Sequence, residues 1–110
     1  MKIKVSEATG AALNWLVAQC LGDCREATFT TWTPSDNWAQ GGPIIDTARI
    51  SIEEASTHGG WIARTGVGIY ALPTRISYSD GPTALIAAMR CYVASKLGDY
   101  ADVPEELTHA

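Results

Sequence analysis

The residues with the clearest chemical potential lie in one short polar segment, SDNWAQGGP, which runs from Ser35 to Pro43. Trp38 offers a flat ring on which a nucleobase can stack, a contact worth about 1–3 kcal/mol per base. Asp36, Asn37 and Gln40 add acceptors and donors that suit a base edge or ribose hydroxyls. The segment therefore has the parts of a pocket for a small polar ligand.

Two glycines and several arginines extend this hypothesis to an anionic, nucleotide-type ligand. Gly41 and Gly42 lack side chains, so their backbone N–H groups can approach an anion closely. A planar guanidinium can hold two phosphate oxygens at once, and Arg75 is one of several arginines that could do so. The candidate ligand-binding residues are Asp36, Asn37, Trp38, Gln40, Gly41, Gly42, Arg49, Arg64 and Arg90.

Trp38 also has a purely structural interpretation. Its ring could pin an irregular loop to the core, while Asp36 and Asn37 cap a turn. The residue types alone favour neither interpretation decisively, and the burial of the ring distinguishes them.

Catalytic motifs are absent from the sequence. There is no Gly-x-Ser-x-Gly segment, no histidine pair at metal-ligand spacing, and GGPIID lacks the Lys-Ser/Thr of a phosphate-binding loop. Glu53 and Glu54 are expected to be a solvated pair, because acid–base work needs apolar surroundings that separate two carboxyl pKa values. We expect a protein that is not an enzyme, with no catalytic residues and no cofactor.

The cysteines point to neither disulfides nor metal. Cys20, Cys24 and Cys91 are odd in number, so they do not form a disulfide framework. Cys20 and Cys24 lie one helical turn apart, but only His58 and His109 could join them as zinc ligands. We expect reduced cysteines packed as small apolar residues, and no metal site.

Composition limits the classes of partner. The chain has 110 residues, of which 46% are hydrophobic and 18% charged, and this suits one globular domain. A formal net charge of -4 lacks the basic footprint of a duplex nucleic-acid binder. No apolar run approaches the ~20 residues of a membrane span, and the N-terminus has no signal-peptide core. We therefore expect a cytoplasmic protein without membrane contact.

Two helices frame the predicted fold. The first follows a cap at Ser6 or Thr9 and ends at Gly22, with Trp15 at the edge of its apolar stripe. The second begins after Asp80-Gly81-Pro82 and ends at Gly98. The apolar stripes at helical spacing consist of Leu13, Leu16, Val17, Cys20 and Leu21 in the first helix, and Leu85, Ile86, Met89, Val93 and Leu97 in the second.

Short strands are predicted between and before the helices. Alternating, β-branched or aromatic residues predict strands over 1–5, 27–32, 44–45, 49–52, 61–64, 69–72 and 75–78. Turns are predicted at 33–36 and at Gly59-Gly60. The order predicts an α+β fold, a small antiparallel sheet of short strands packed against an N-terminal and a C-terminal helix. Residues 1–110 form one domain, with 99–110 a loosely ordered acidic tail.

The second helix has a surplus of small residues. Its small residues, in addition to the apolar stripe, are Ala84, Ala87, Ala88, Cys91, Ala94 and Ser95. This small-residue face could pack on the first helix, or on the same helix of a second subunit through an isologous contact. We therefore expect a homo-oligomer through the C-terminal helix.

Three ordered blocks resemble a known family. KIKVSEATGAALNWLVA, NWAQGGPII and GPTALIAAMRCYVASKLGD, followed by VPEEL, are similar to the small phage-encoded family typified by the NinX protein of lambdoid phages, a domain of unknown function. The blocks cover about half the chain, and the segment from Glu53 to Tyr78 is unmatched. The resemblance implies a phage or prophage protein that acts in the bacterial cytoplasm, and it supplies no catalytic residues.

Two functions are expected on these grounds. The first is a phage accessory protein that sequesters a small nucleotide-type ligand, by analogy with phage proteins that oppose host defence. The second is a protein-interaction module that binds a host or phage protein through exposed Trp32, Trp38 or Trp61.

Overall fold

Three helices and five short strands make up the described part of the chain. The structure, a computed structural model, describes residues 1–22, 32–55, 59–65 and 77–107. The elements in chain order are β1 (Lys2–Lys4), α1 (Gly10–Cys20), α2 (Trp38–Ala48), β2 (Ser51–Glu54), β3 (Trp61–Thr65), β4 (Ser77–Gly81), α3 (Ala84–Leu97) and β5 (Tyr100–Asp102). Single 3-10 turns lie at Val5–Glu7 and Glu105–Leu107.

Helix α3 is the central element of the core. It packs against β3 and β4, against α1, and against α2. Its small residues Ala87, Ala88 and Cys91 are fully buried. These residues, which were expected to contact a second subunit, therefore face the protein's own core. Homo-oligomerisation stays a prediction, and the small residues of α3 no longer support it.

The start of α3 differs from the sequence-based expectation. Asp80 and Gly81 end strand β4, and Thr83 is the N-cap. The Thr83 Oγ1 accepts a hydrogen bond from the Ile86 N–H at 3.1 Å. A threonine that satisfies a free N–H at the helix start is a favoured cap, so the helix begins after Thr83 and not at Pro82.

The strands form two antiparallel sheets where one was expected. β2, β3 and β4 make a three-stranded meander in which Ala63 lies opposite Ile52 and Ser79. Ala63, Thr65 and Ser79 are buried, whereas Arg64 and Tyr78 lie on the exposed face. The α+β class is confirmed, and the meander is built from adjacent segments of the chain.

The second sheet pairs the two ends of the described chain. Ile3 of β1 lies opposite Ala101 of β5. Val103, just beyond β5, is buried, and its N–H donates to the Met1 carbonyl at 2.9 Å. β5 was not predicted, because its three residues, YAD, are too short to show an alternating pattern.

The first helix agrees with its prediction. Leu13, Leu16 and Val17 are buried, and Trp15 is half-buried against the core. Gly22 follows the helix at φ 73°, the left-handed conformation that ends many helices. Thr9 is the N-cap by position, but its side chain makes no capping hydrogen bond.

Helix α2 lies in a segment for which no helix was predicted. Residues 35–43 were interpreted as an irregular loop and Ile44-Ile45 as a strand, yet Trp38–Ala48 is helical. Asn37 caps it, since its Oδ1 accepts from the Ala39 N–H at 2.9 Å. Gly41 and Ile44 are buried, so packing of one helix face outweighs the low helix propensity of two glycines and Pro43.

Several expectations fall outside the described residues. These are the strand over 69–72, most of the strands over 27–32 and 75–78, and the residues Cys24, His58, Arg75 and His109. Trp32, the last residue of the range 27–32, is half-buried against the core.

Candidate functional site

The outer face of α2 carries an open cleft of about 600 Å³. Ligand sites for small molecules commonly have volumes of ~300–1,000 Å³. Residues three or four apart on a helix are surface neighbours, so one exposed stripe of α2 supplies most of the lining. The cleft is lined by Trp38, Gly42, Ile45, Asp46, Arg49 and Ile50.

Trp38 stands at one end of this cleft as the first residue of α2. Its side chain is 58% exposed. A ring that pinned a loop to the core would be buried, so the structural interpretation of Trp38 is wrong. The ring presents a surface to solvent beside the cleft.

The two glycines of the segment have different surroundings. A Cβ on Gly41 would collide with the Pro34 carbonyl oxygen and lie 2.6 Å from Leu85 Cδ2. A Cβ on Gly42 would meet no atom within 4 Å outside its chain neighbours and the backbone of its own helix. Gly41 is therefore required by packing, and Gly42 opens the floor of the cleft.

Arg49 stands at the other end of the cleft. It is the C-cap of α2, with φ 56° and ψ 52°, a left-handed conformation that is unfavourable for residues with a Cβ. Its side chain and that of Asp46 are exposed. This end of the cleft therefore offers a guanidinium donor and a carboxylate acceptor side by side.

Asn37 and Gln40 stabilise the start of α2 through side-chain hydrogen bonds to the backbone. Asn37 is the helix cap described above. The Gln40 Oε1 accepts a hydrogen bond from the Thr33 N–H, which ties the preceding turn to the helix. The same turn is anchored by buried Asn14, whose Oδ1 accepts from Ser35 Oγ at 2.7 Å. Asp36 is exposed in this turn.

Arg90 lies on α3, away from the α2 cleft. Its Nε donates to the Ala8 carbonyl at 2.8 Å, and its Nη1 donates to the Asp80 carbonyl at 2.9 Å. Burial lowers the pKa of its guanidinium, and the charges of Asp80 and Glu7 oppose that effect. Arg90 ties the start of α1 to β4.

A second cleft of about 470 Å³ borders Arg90. Its other lining residues include the turn at Gly59 and Gly60, and Tyr78 of β4. Among the residues that the structure describes, the two clefts have no lining residue in common. The predicted arginines therefore do not all converge on one ligand.

Arg64 is also separate from the α2 cleft. Its Nη2 lies 2.9 Å from the Glu53 carboxylate, and its guanidinium carbon lies 5.9 Å from the centre of the Tyr78 ring. These contacts place Arg64 on the exposed face of the three-stranded sheet. Exposed pairs of this kind contribute little to stability.

Thus the structure brings together three of the predicted residues, Trp38, Gly42 and Arg49. Sequence reasoning missed three residues of the cleft: Ile45, Asp46 and Ile50. The spacing from Trp38 to Gly42, Ile45 and Arg49 is helical and was the available signal. It was obscured because Gly41, Gly42 and Pro43 indicate a loop.

The described residues offer little for metal or thiol chemistry. They contain no group of three or more side chains that could hold a metal ion. Burial raises the pKa of the Cys20 thiol to about 11, so at neutral pH the thiol is protonated and weakly nucleophilic. None of the described helices combines the length and hydropathy that a bilayer span needs.

The fold and cleft define a small α+β protein whose candidate site is an open helix face with a stacking ring at one end and a guanidinium at the other. The chain belongs to the Bacteriophage P22 NinX family, whose model matches residues 4–96. This range contains the complete α2 cleft and confirms the resemblance seen in the three sequence blocks. No curated protein matches the chain. Family membership makes it a phage accessory protein.

Proposed function

We propose that the protein is not an enzyme and that it binds and sequesters a small nucleotide-type ligand in the α2 cleft. The exposure of Trp38 beside this cleft is the observation that carries the proposal. Burying a large aromatic ring stabilises a fold. A ring left in solvent at the edge of a hollow is therefore available to another molecule.

The lining suits the chemistry of a nucleotide. A base stacks on Trp38, and the sugar and phosphate extend along α2 toward Arg49. The Arg49 guanidinium donates to phosphate oxygens. Asp46 accepts hydrogen bonds from ribose hydroxyls, a role that acidic residues take in other nucleotide sites.

The electrostatics of the cleft favour binding over chemistry. Among the described residues that line it, Asp46 is the one carboxylate and Arg49 the one cation. A pair of carboxylates with separated pKa values would be needed for general acid–base work. The lining therefore recognises a ligand without supplying a proton donor and acceptor pair.

The phage context gives such binding a use. A phage accessory protein that holds a nucleotide signal lowers its free concentration in the bacterial cytoplasm, where the infected cell's defences use such signals. To sequester the signal, the protein must bind it with a Kd below the free concentration of the signal, because a weaker binder leaves most of the signal free.

Calorimetric titration of the purified protein with AMP, ADP-ribose and cyclic dinucleotides tests the proposal. A bound ligand stabilises the fold by RT ln(1 + [L]/Kd), about 2.7 kcal/mol at 100 times Kd. Trp38→Ala should weaken binding by about 1–3 kcal/mol, the value of one stacked base. Trp61→Ala, which removes an exposed tryptophan outside the cleft, is the matched control and should bind normally. Absence of heat and of thermal stabilisation across the panel would overturn the proposal.

A protein-interaction role is the second candidate, and it is favoured by a different surface. Tyr78 is 57% exposed and Trp61 is 37% exposed, both on the three-stranded sheet. Aromatic residues are typical anchors at protein interfaces. Trp32 fits this role less well, because it packs against the core.

Affinity capture from infected cells separates the two candidates. A stoichiometric protein that Tyr78→Ala releases would support the interaction module. A co-purifying small molecule that Trp38→Ala releases would support the ligand binder.

A further inference from the structure

Packing within the protein does not require a glycine at position 42. It lies inside α2, where glycine is less favourable than every residue except proline. The space beyond its Cα is open, in contrast to Gly41, whose missing side chain admits Pro34 and Leu85. Two other factors can require a glycine at position 42: the neighbouring Pro43, or a molecule bound in the cleft.

Pro43 provides one local reason. The ring of a proline crowds the Cβ of the residue before it and disfavours the helical conformation there. A glycine before Pro43 avoids this crowding. An experiment on Gly42 must therefore first remove Pro43, which is an exposed residue of α2.

The position of Gly42 gives a second reason. Trp38 precedes it by four residues and Asp46 follows it by four, so the three share one stripe of the helix surface. The cleft is open above Gly42, and Ile45 borders it. A flat group stacked on Trp38 can rest against the main chain at Gly42, a close approach that only glycine permits.

We propose that Gly42 is a specificity-determining residue of the α2 cleft, because its missing side chain admits the flat ring of a nucleobase between Trp38 and the helix backbone. This inference rests on the proposed function and adds the shape of the ligand to it. A methyl group at position 42 excludes the ring, while ligands without a planar ring gain nothing from the space.

The test compares Pro43→Ala with the double variant Gly42→Ala/Pro43→Ala. Without Pro43, alanine at position 42 suits a helix better than glycine, so the double variant should unfold at a higher temperature. Titration with ADP-ribose, AMP and cyclic di-AMP should nevertheless show at least tenfold weaker binding by the double variant than by Pro43→Ala. Thr47→Ala, an exposed change on α2 outside the cleft, is the control and should leave Kd unchanged.

The outcomes separate this inference from the function on which it rests. One outcome is that the unaltered chain binds a probe while Pro43→Ala and the double variant bind it equally well. In that case Gly42 does not determine specificity, and the proposed function stands. If the unaltered chain binds none of the probes, both proposals are overturned. If ribose 5-phosphate, which lacks a base, loses as much affinity as AMP in the double variant, the planar-ring explanation is wrong.

Discussion

Arg49 and Arg90 carry the same side chain and have opposite relations to the fold. Arg90 is buried and donates to the carbonyls of Ala8 and Asp80. Arg49 is exposed and holds a left-handed backbone conformation at the end of α2. One arginine is a fixed part of the protein's internal hydrogen bonding, and the other remains available to an outside molecule.

The same division runs through α2 itself. Gly41 and Ile44 face the core, whereas Trp38 and Gly42 line the cleft. Successive residues of an α-helix are about 100° apart around its axis, so Gly41 packs against the core while its neighbour Gly42 lines the cleft. Substitutions on the inner side should therefore change stability, and those on the outer side should change binding.

The largest expected effect is on the inner side, at Arg90. Arg90→Met keeps much of the side-chain length but removes the donor from the buried hydrogen bond to the Ala8 carbonyl and from the partly buried one to the Asp80 carbonyl. Each unsatisfied group costs about 1–3 kcal/mol, so we expect a loss of about 2–4 kcal/mol in the free energy of unfolding. Urea unfolding should show a lower midpoint at an unchanged slope. A loss below about 0.5 kcal/mol would mean that Arg90 is not a structural tie.

Gly41→Ala should have the next largest effect. The added methyl group collides with the Pro34 carbonyl oxygen and with Leu85. Overpacking of this kind costs about 1–3 kcal/mol, measured as a loss in the free energy of unfolding. Thr47→Ala, on the same helix at an exposed position, is the comparison and should stay within about 0.5 kcal/mol. Equal stability of the two variants would contradict the packing of α2 on Pro34.

Arg49→Gly should have a smaller effect of opposite sign. Glycine accepts the left-handed conformation without the strain of a Cβ, but it makes the unfolded chain more flexible. The net expectation is a gain of about 0.5–1 kcal/mol in the free energy of unfolding. Calorimetry should at the same time show weaker binding of ADP-ribose, because the cation of the cleft is gone. A variant that lost stability and kept its affinity would reverse the assignment of Arg49 to the outer side.

Much of the fold follows from simple sequence patterns. α1 and α3 carry long apolar stripes with Gly22 and Gly98 at their ends, and both helices form there, although α3 begins after Thr83 and not at Pro82. β3 was also predicted, since WIART is rich in residues that suit a strand. Long periodic elements are predictable because many residues contribute to the same signal.

The candidate site was only partly predictable, because its central element was taken for a loop. Gly41, Ile44, Ile45 and Ala48 have the spacing of a buried helix face, and Asn37 is a good cap. Pro43 and the paired glycines concealed this pattern. The face of α2 that turns inward is marked by the close approach of Gly41 to Leu85 of α3, and a local sequence pattern does not contain a contact between residues so far apart in the chain.

The pairing of β1 with β5 has a consequence for the kinetics of folding. Ile3 and its partner Ala101 are far apart in the sequence, whereas the strands of the meander follow one another along the chain. Closing the longer loop costs more chain entropy than pairing strands that are near in sequence. We therefore expect the second sheet to form more slowly than the meander.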